Sequence, residues 1–493
     1  MPVSNAYRPE SPLSALGPEF ADPVAPAAFP KALIRYRNDR AAATVGLDTL
    51  TDVEWIAHFA RFEPLPGAQA QPLAMRYHGH QFRSYNPQLG DGRGFLFSQQ
   101  REVGTDRLLD LGTKGSGQTP WSRSGDGRLT LKGGVREVLA TEMLEGLGVP
   151  TSKSFSLIET GEALYRNDEP SPTRSSVLTR LSWSHIRFGS FQRHAHANRL
   201  DLITRLIDHV VELYYPDLAE TEPGVGRTAA LLAAVTARTA RMTARWMAAG
   251  FVHGVLNTDN MNINGESFDY GPYRFLPQND PGFTAAYFDE TGLYAFGRQP
   301  EAAFWNLTQL AGCFALVSSK DLLIEALNGF VDAYRRELAT AVVARLGVKS
   351  GGADADAALA NATFDVLAEG GEVLRWEPLF FDWFGGPASE VRALNGPRGR
   401  YYQGDAALAF REALAGFEPD RPQRLGAPYF LQADPEELLY EEIETIWEAI
   451  ADEDDWEPFE AKVARIDAMR RAYALEPDRL KPGHSGGGSR PAA

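Results

Sequence analysis

The chain has 493 residues, of which 44% are hydrophobic and 23% are charged, and its formal net charge is −16 at pH 7. This length exceeds what one hydrophobic core usually supports, so two packed lobes or domains are expected. The negative charge argues against nucleic acid or an anionic membrane as the main partner, since both repel an acidic surface. No stretch approaches the roughly 18 apolar residues of a membrane span.

The single cysteine, Cys313, excludes an intramolecular disulfide and a cysteine-cluster metal site. It lies in an apolar pattern of helical spacing, which predicts a buried, inert thiol. The first residues include Glu10 and Glu19 and resemble neither a secretory signal nor a transit peptide. We therefore expect a cytoplasmic protein, because a reducing compartment suits a free thiol, and a monomer is the default expectation.

The N-terminal part of the chain predicts an extension followed by a small lobe. Residues 1–74 are expected to form an arm and a helical extension, of which the Pro/Ala-rich first 30 residues lie extended on the surface. Residues 75–165 mix Gly-rich turns with short apolar runs, which predict strands at 94–97, 108–111 and 155–158. Apolar residues at helical spacing predict a helix over 134–147 with Gly148 as its C-cap.

From about residue 198 the pattern becomes mainly helical. Helices are predicted at 200–213, 229–247, within 303–345, 356–368, 404–415 and within 434–475, with a loop-rich core at 250–297. The expected divisions are a second lobe at 166–300, a helical C-terminal region at 301–480 and a flexible tail at 481–493. The predicted fold class is therefore α+β, with a small sheet-plus-helix N-lobe and a larger, mainly helical C-lobe.

A glycine-rich turn, QLGDGRG at 88–94, leads into a predicted strand. Gly90 and Gly92 would let the backbone approach a phosphate and aim its N–H groups at it. Arg93 adds a planar cation with several donors. Asp-Gly turns also close ordinary hairpins, and without the other motifs the hairpin is the favoured interpretation of this one.

A lysine and a glutamate occur in the order strand, then helix. Lys114 ends the strand sequence DLGTK, and Glu137 lies 23 residues later in the predicted helix. A buried Lys–Glu pair would keep the ammonium charged and directed at a phosphate, whereas the alternative is an ordinary surface pair. Asp126 and Gly127 follow in a Ser/Gly-rich loop, which is either a second phosphate- or base-facing loop or a disordered turn.

Two arginines, Arg180 and Arg187, flank the segment LSWSHI. At this spacing they could share one face of a helix, or of a helix followed by an extended segment. Two guanidinium groups placed there would neutralise a polyphosphate. Pairing with carboxylates at the junction of the lobes is an equally weighted alternative.

The segment HGVLNTDN at 253–260 is followed nine residues later by DYG at 269–271. This is the outline of a kinase catalytic loop and its metal-binding element, and Asn260 and Asp269 offer the oxygen ligands that magnesium requires. The position of the kinase base is Val255, which cannot accept a proton. Asp259 is the nearest replacement, its alternative being the cap of a local turn. His78 and His80 are expected to pack and form hydrogen bonds instead of binding a metal, and His253 is expected to brace the backbone of this loop.

Together these motifs resemble the selenoprotein O family of protein-kinase-like proteins. The segments that carry the resemblance are YHGHQF (77–82), PQLGDGRG (87–94), DLGTKGSGQTPWSRSGDGR (110–128), REVLATEML (136–144), SHIRFGSF (184–191) and HGVLNTDNMNINGESFDYGPY (253–273). The resemblance implies a bilobal protein-kinase-like fold and a pseudokinase that binds ATP in an inverted orientation. It also implies transfer of AMP from ATP, or UMP from UTP, to Ser, Thr or Tyr hydroxyls of proteins, with release of pyrophosphate.

The resemblance also implies roles for individual residues. Nucleotide contacts are implied at Gly90, Gly92, Arg93, Lys114, Asp126, Gly127, Arg180, Arg187 and Asp269. Asp259 would accept the proton, and Glu137 would pair with Lys114, so these three are the expected catalytic residues. Asn260 and Asp269 would bind Mg²⁺, with Mn²⁺ as the alternative ion.

The chain departs from the family pattern at two places. It has Arg83-Ser84 where the family usually has two glycines, and it lacks the family's C-terminal selenocysteine or cysteine. Redox control through a thiol in the tail is therefore not expected. Two alternatives stay open: a conventional kinase-type phosphotransferase, which Val255 disfavours, and a non-catalytic nucleotide-binding pseudokinase scaffold, which the presence of Asn260 and Asp269 disfavours.

Overall fold

A computed structural model describes residues 3–167 and 169–475 of the chain. The strands are β1 (Pro9–Glu10), β2 (Ala21–Pro23), β3 (Leu33–Arg37), β4 (Leu73–Met75), β5 (Gly79–Gln81), β6 (Ser84–Asn86), β7 (Leu96–Arg101), β8 (Leu108–Lys114), β9 (Leu129–Thr130), β10 (Lys153–Leu164), β11 (Thr173–Ser182), β12 (Phe251–Val252) and β13 (Arg274–Phe275).

The helices are α1 (Asp39–Ala43), α2 (Asp52–Phe59), α3 (Leu131–Gly146), α4 (Phe188–His196), α5 (Leu200–Tyr214), α6 (Val225–Ala248), α7 (Gln299–Phe314), α8 (Lys320–Arg345), α9 (Ala353–Gly370), α10 (Trp376–Asp382), α11 (Glu390–Asn395), α12 (Asp405–Leu414), α13 (Tyr440–Glu453) and α14 (Glu457–Tyr473). Short 3₁₀ turns lie at Pro12–Leu16, Pro216–Leu218, Thr258–Asn260, Phe296–Arg298, Gly386–Ser389, Gly399–Tyr402, Pro422–Gly426 and Pro428–Leu431.

A nine-stranded antiparallel sheet forms the N-terminal half, with the main order β2-β4-β7-β8-β11-β10-β3. Strand β1 pairs with β7, and β9 pairs with β11. The central strands β7, β8 and β11 are almost wholly buried. The predicted strands at 108–111 and 155–158 are confirmed as parts of β8 and β10, which extend further than the apolar runs indicated. The strand predicted at 94–97 begins two residues later, as β7, and continues to Arg101.

Helix α3 packs against β10 and β11 on one side and against α14 on another. It begins after Thr130, whose side chain accepts a hydrogen bond from the N–H of Gly133. Glycines allow close approach on both sides: a Cβ at Gly134 would collide with Leu157 of β10, and one at Gly146 would lie 2.6 Å from Met469 of α14. The predicted helix is confirmed, but it begins three residues earlier than predicted. Its C-cap is Leu147, and Gly148, the predicted C-cap, follows with a φ of +76°.

The N-terminal segment is extended, but it does not lie only on the surface as predicted. Its strands β1, β2 and β3 pair with β7, β4 and β10 of the sheet. Leu13, Leu16 and Phe20 are buried. Burial of these three apolar side chains explains why the segment joins the sheet instead of lying on it.

The remainder of the described chain is mainly helical, and the predicted helices are confirmed with small shifts of their ends. The segment at 303–345 divides into α7 and α8, and the segment at 434–475 divides into α13 and α14. The acidic helix α13 buries an aliphatic stripe of Ile443, Ile446 and Ile450. The architecture is therefore mixed α+β. Within the described ranges no helix is long and apolar enough to cross a membrane, and the predicted flexible tail lies outside those ranges.

Candidate active site

Lys114 and Glu137 form a buried ion pair. Lys114 is the last residue of β8, Glu137 lies in α3, and the ammonium donates a hydrogen bond to the glutamate carboxylate. Only 1% of Glu137 is exposed. The interpretation of these residues as a buried pair is therefore confirmed, and the surface-pair alternative is wrong.

Asp269 joins this pair and completes what we term the charge cluster, consisting of Lys114, Glu137, Arg180 and Asp269. Its Oδ1 lies 2.6 Å from Lys114 Nζ and 3.3 Å from Arg180 Nη1. Burial alone would raise the pKa of Asp269, but Lys114 first and then Arg180 hold the pKa well below its usual value. Asp269 is therefore ionised at neutral pH and offers its oxygens to a cation.

The predicted shared helix face of Arg180 and Arg187 is wrong. Arg180 lies in strand β11, and Arg187 is the N-cap residue of α4. Strand β11 is hydrogen-bonded on both sides, to β8 and β10, so residues 173–182 are held extended. The two arginines reach one region from two different elements.

Arg187 connects the glycine-rich turn to the catalytic loop. Its guanidinium lies 4.6 Å from the Tyr77 ring and 4.8 Å from the Phe268 ring. Nη1 donates to the backbone carbonyl of Asp259 at 2.8 Å, and Nη2 lies 3.4 Å from Asp91 Oδ1. Four contacts from distant parts of the sequence therefore hold this side chain in one position.

Asp91 is a site residue that the sequence interpretation missed. Besides contacting Arg187, its Oδ2 accepts a hydrogen bond from the N–H of Met75 at 3.0 Å, and it is buried. The available signal was its position between Gly90 and Gly92. A carboxylate in a supposed phosphate-binding turn needs a cationic partner, and Arg187 is that partner.

Within the loop at 253–260, the side chains of Asn260 and His253 are held by backbone carbonyl groups. Asn260 lies in the 3₁₀ turn, and its Nδ2 donates to the carbonyl of Val255 at 2.9 Å, which leaves the amide oxygen for a ligand. His253 contacts the carbonyl of Phe268 through Nε2 at 3.0 Å, which confirms its predicted bracing role. His78 and His80 likewise contact Tyr85 and Gln192.

Asp259 is almost completely enclosed. Its Oδ1 is buried and has no hydrogen-bond partner among residues 3–167 and 169–475. Burial raises the pKa of this carboxyl to about 6, although Arg187 opposes the shift. A Cβ atom at Gly79 would lie 2.9 Å from that oxygen, so the glycine provides the space that the carboxylate occupies. Such a carboxyl can exchange a proton near neutral pH.

The glycine-rich turn packs against the loop at 115–128. A Cβ atom at Gly90 would collide with the Trp121 ring, and one at Gly92 would lie 2.9 Å from the Trp121 carbonyl. Strand β6 pairs with β5 and not with β7, so the simple-hairpin alternative is wrong. These glycines therefore permit loop packing, and Arg93 beside them is exposed.

Asp126 is engaged by another arginine. Arg166 contacts its two carboxylate oxygens at 2.8 and 3.1 Å. Gly127 has a φ of +69°, and its carbonyl accepts a hydrogen bond from Gly117, so the loop is closed and is not a disordered turn. Across the described chain no hydrogen bond joins Asp126 to the charge cluster, and its expected nucleotide contact stays a prediction.

The donor set fits a small hard cation. In the part of the chain that the structure describes, no group of three or more His, Cys, Asp and Glu side chains is placed to hold a metal. Asn260 and Asp269 offer one amide oxygen and one carboxylate. Magnesium commonly uses one or two protein oxygens together with phosphate and water, so this sparse set suits it when a polyphosphate is bound.

Comparison with known proteins gives a consistent result over most of the chain. Residues 4–377 match the family model described as protein adenylyltransferase SelO. The chain is 44% identical over 481 residues to the protein nucleotidyltransferase YdiU of Synechocystis sp., covering 93% of this chain and 97% of that protein. It is 44% identical over 482 residues to the protein of the same name from Gloeobacter violaceus, covering 94% and 95%. The protein of that name from Bradyrhizobium sp. is 38% identical over 424 residues, covering 83% and 82%.

Proposed function

Because this chain belongs to the protein adenylyltransferase SelO family, we propose that its charge cluster and catalytic loop transfer AMP from ATP to Ser, Thr or Tyr hydroxyls of proteins. The chain is a protein nucleotidyltransferase, as its relatives are named. The observation that carries the residue assignment is the convergence of Lys114 and Arg180 on Asp269. UTP would serve as a second donor, for UMP transfer.

The proposed architecture is that of a bilobal protein kinase. Residues 75–165 would form the N-lobe and 166–300 the C-lobe, with 1–74 and 301–480 as extensions and 481–493 as a tail. The support is the order of the site: a lysine on a strand, its glutamate on a helix, and an aspartate from a later loop meet at one place. Three strands from residues before 75 belong to the same sheet, and β4 crosses the boundary at 73–75, so the first extension is closely integrated with the proposed N-lobe.

The proposed reaction places the α-phosphate of an inverted ATP next to the acceptor hydroxyl. The hydroxyl oxygen forms a bond to the α-phosphorus, the bond from that phosphorus to the β-phosphate oxygen breaks, and pyrophosphate leaves. Asp259 takes the hydroxyl proton, which a carboxyl with a raised pKa and a free buried oxygen is suited to do. Lys114 and Arg180 would neutralise charge on the phosphates.

The other residues would position these groups. Glu137 holds the ammonium of Lys114, and Arg187 holds the catalytic loop through the Asp259 carbonyl. Arg93 is exposed and so is free to approach the nucleotide phosphates. Gly90, Gly92, Asp126 and Gly127 are the remaining proposed nucleotide contacts.

Asn260 and Asp269 are the proposed ligands for Mg²⁺ or Mn²⁺. Bound there, the ion would supply positive charge to the phosphate oxygens and help to orient the pyrophosphate. A reducing, cytoplasmic location and a monomeric state are also proposed. The first rests on the buried single thiol of Cys313.

The proposal is tested by following both products in variants of the metal ligands. Asp269→Ala and Asn260→Ala should each abolish pyrophosphate release and the AMP adduct on casein, read by mass spectrometry. The control is Asp106→Ala, which removes an exposed carboxylate paired with Arg8 and should leave both products unchanged. Full activity of Asp269→Ala with Mg²⁺ present would overturn the residue assignment.

A further inference from the structure

Two adjacent aromatic side chains are exposed beside the catalytic loop. Tyr287 is 84% exposed and Phe288 is 47% exposed. Their rings lie 5.1 Å apart, and Phe288 also contacts the ring of Phe82 at 5.8 Å. We call Phe82, Tyr287 and Phe288 the aromatic patch. Contiguous exposed aromatic surface is typical of a protein-binding site.

The segment that bears Tyr287 and Phe288 is held against the catalytic loop. A Cβ at Gly254 would lie 3.0 Å from Ala285 Cβ and 3.6 Å from the nitrogen of Ala286, so the two backbones touch there. On the other side, the buried carboxylate of Asp289 accepts hydrogen bonds from the N–H groups of Leu293 and Tyr294, both at 2.8 Å. The exposed rings therefore extend from a braced segment.

Phe82 reaches the patch from a hairpin with an unusual turn. Strands β5 and β6 pair, and the two turn residues, Phe82 and Arg83, have φ values of 48° and 63°. Such angles favour glycine or asparagine, so a phenylalanine and an arginine need compensation from their surroundings. Phe82 packs against Tyr294 at 5.0 Å, and Arg83 pairs with Glu301 at 3.0 Å. The turn thus keeps the Phe82 ring in the aromatic patch, although a left-handed backbone conformation is unfavourable for phenylalanine.

The first strand of this hairpin, β5, starts next to Asp259 in space. A Cβ at Gly79 would lie 2.9 Å from Asp259 Oδ1, and the N–H of Phe82 donates to Asn257 Oδ1 at 3.0 Å. From Gly79 to Gln81 the strand advances by roughly 7 Å, at about 3.3 Å per residue, and Phe82 follows one residue further, in the turn. An extended peptide running alongside would cover that distance in about three residues.

We infer that the aromatic patch docks the acceptor segment of the protein substrate, an extended stretch with an aromatic or large aliphatic side chain about three residues from the modified hydroxyl. This inference rests on the proposed function, because it takes the acceptor hydroxyl to lie next to Asp259. The recognition is apolar: the guanidinium of Arg83, next to Phe82, is already paired with Glu301. A peptide is a better occupant than a nucleotide, since the patch offers three aromatic rings and the guanidinium of the adjacent turn is engaged by Glu301.

The test uses synthetic peptides with one central threonine and either phenylalanine or glycine three residues before or after it. Transfer of the α-phosphate label from ATP is measured for the wild type and for the double variant Tyr287→Ser/Phe288→Ser. The wild type should modify one of the phenylalanine peptides at least tenfold more efficiently, in kcat/KM, than its glycine counterpart. The double variant should lose that preference while keeping the wild-type KM for ATP.

A matched control is Tyr165→Ser, which removes another tyrosine that is 75% exposed and lies at the end of β10, and it should keep the preference. The inference is overturned if phenylalanine gives no advantage, if the advantage survives the double substitution, or if no peptide is modified while casein is. Failure of the proposed function looks different, since then neither casein nor any peptide acquires the α label.

Discussion

Replacing Glu137 by glutamine tests whether the buried pair serves the reaction. Glutamine keeps the shape of the side chain and one hydrogen-bond acceptor, but it removes the negative charge. In the wild type, Glu137 and Asp269 both attract the ammonium group of Lys114. The ammonium should then shift toward Asp269, which already lies 2.6 Å away, and so compete for the proposed metal ligand. A hydrogen bond to a charged group contributes about 1.5–3 kcal/mol. If that contribution is lost only in the transition state, the rate of AMP transfer falls roughly 10- to 100-fold, at about 1.4 kcal/mol per tenfold.

The assay is the initial rate of α-label transfer to casein at saturating ATP, with unfolding in urea measured in parallel. The matched control is Glu142→Gln, on the same helix, where a buried carboxylate accepts hydrogen bonds from Tyr36 and Asn38. Both variants should lose stability, because each removes a buried charge from its partners. At a temperature where both variants are folded, only Glu137→Gln should show the predicted fall in the rate of AMP transfer. Equal rates for the two variants would refute the assigned role of Glu137.

Three further predictions follow from the site and the core. Gly79→Ala should lower kcat at least tenfold, since the added Cβ would lie 2.9 Å from Asp259 Oδ1. The control is Gly226→Ala, where a Cβ meets nothing within 4 Å, and this variant should keep the wild-type kcat in the same assay. Removing divalent ions with EDTA should stop labelling, and adding back Mg²⁺ or Mn²⁺ should restore it; labelling that persists in EDTA would remove Asn260 and Asp269 from a metal role. Burial raises the pKa of the Cys313 thiol to about 12. Iodoacetamide at pH 8 should therefore modify this thiol slowly in the native protein and quickly in urea, as measured by intact mass. Rapid modification of the native protein would contradict the burial of Cys313.

The parts of the site that the sequence predicted are those set by local order. Lys114 at the end of a strand and Glu137 in the next helix follow from apolar periodicity, and the structure joins them as predicted. The helix at 131–146 was evident for the same reason, because its apolar residues recur at helical spacing.

The parts that could not be predicted depend on contacts between distant segments. Arg187 is held by Tyr77, Asp91, Phe268 and the Asp259 carbonyl, which lie up to 110 residues away in the sequence. Arg180 was assigned to a helix because two arginines seven residues apart suit a helical face, yet β11 is fixed by pairing with strands on both sides. Tertiary pairing overrode the local pattern.

The role of the glycines at 90 and 92 shows a different limit. The family resemblance implies nucleotide contacts at both positions, whereas the structure shows that these glycines make room for Trp121. A glycine pattern indicates that another group packs closely against the backbone, but it does not show whether that group is a ligand or another part of the protein. Substitution at these positions therefore tests loop packing and nucleotide contact together.

The most direct test of the central claim is incubation of the full chain with casein and ATP labelled on either the α- or the γ-phosphate. With Val255 in place of the kinase base and Asp259 beside the cluster, the protein should acquire the α label only, with one pyrophosphate released for each AMP attached. Transfer of the γ label would show a conventional kinase, and transfer of neither label would show a nucleotide-binding scaffold. Either result would contradict the proposed reaction.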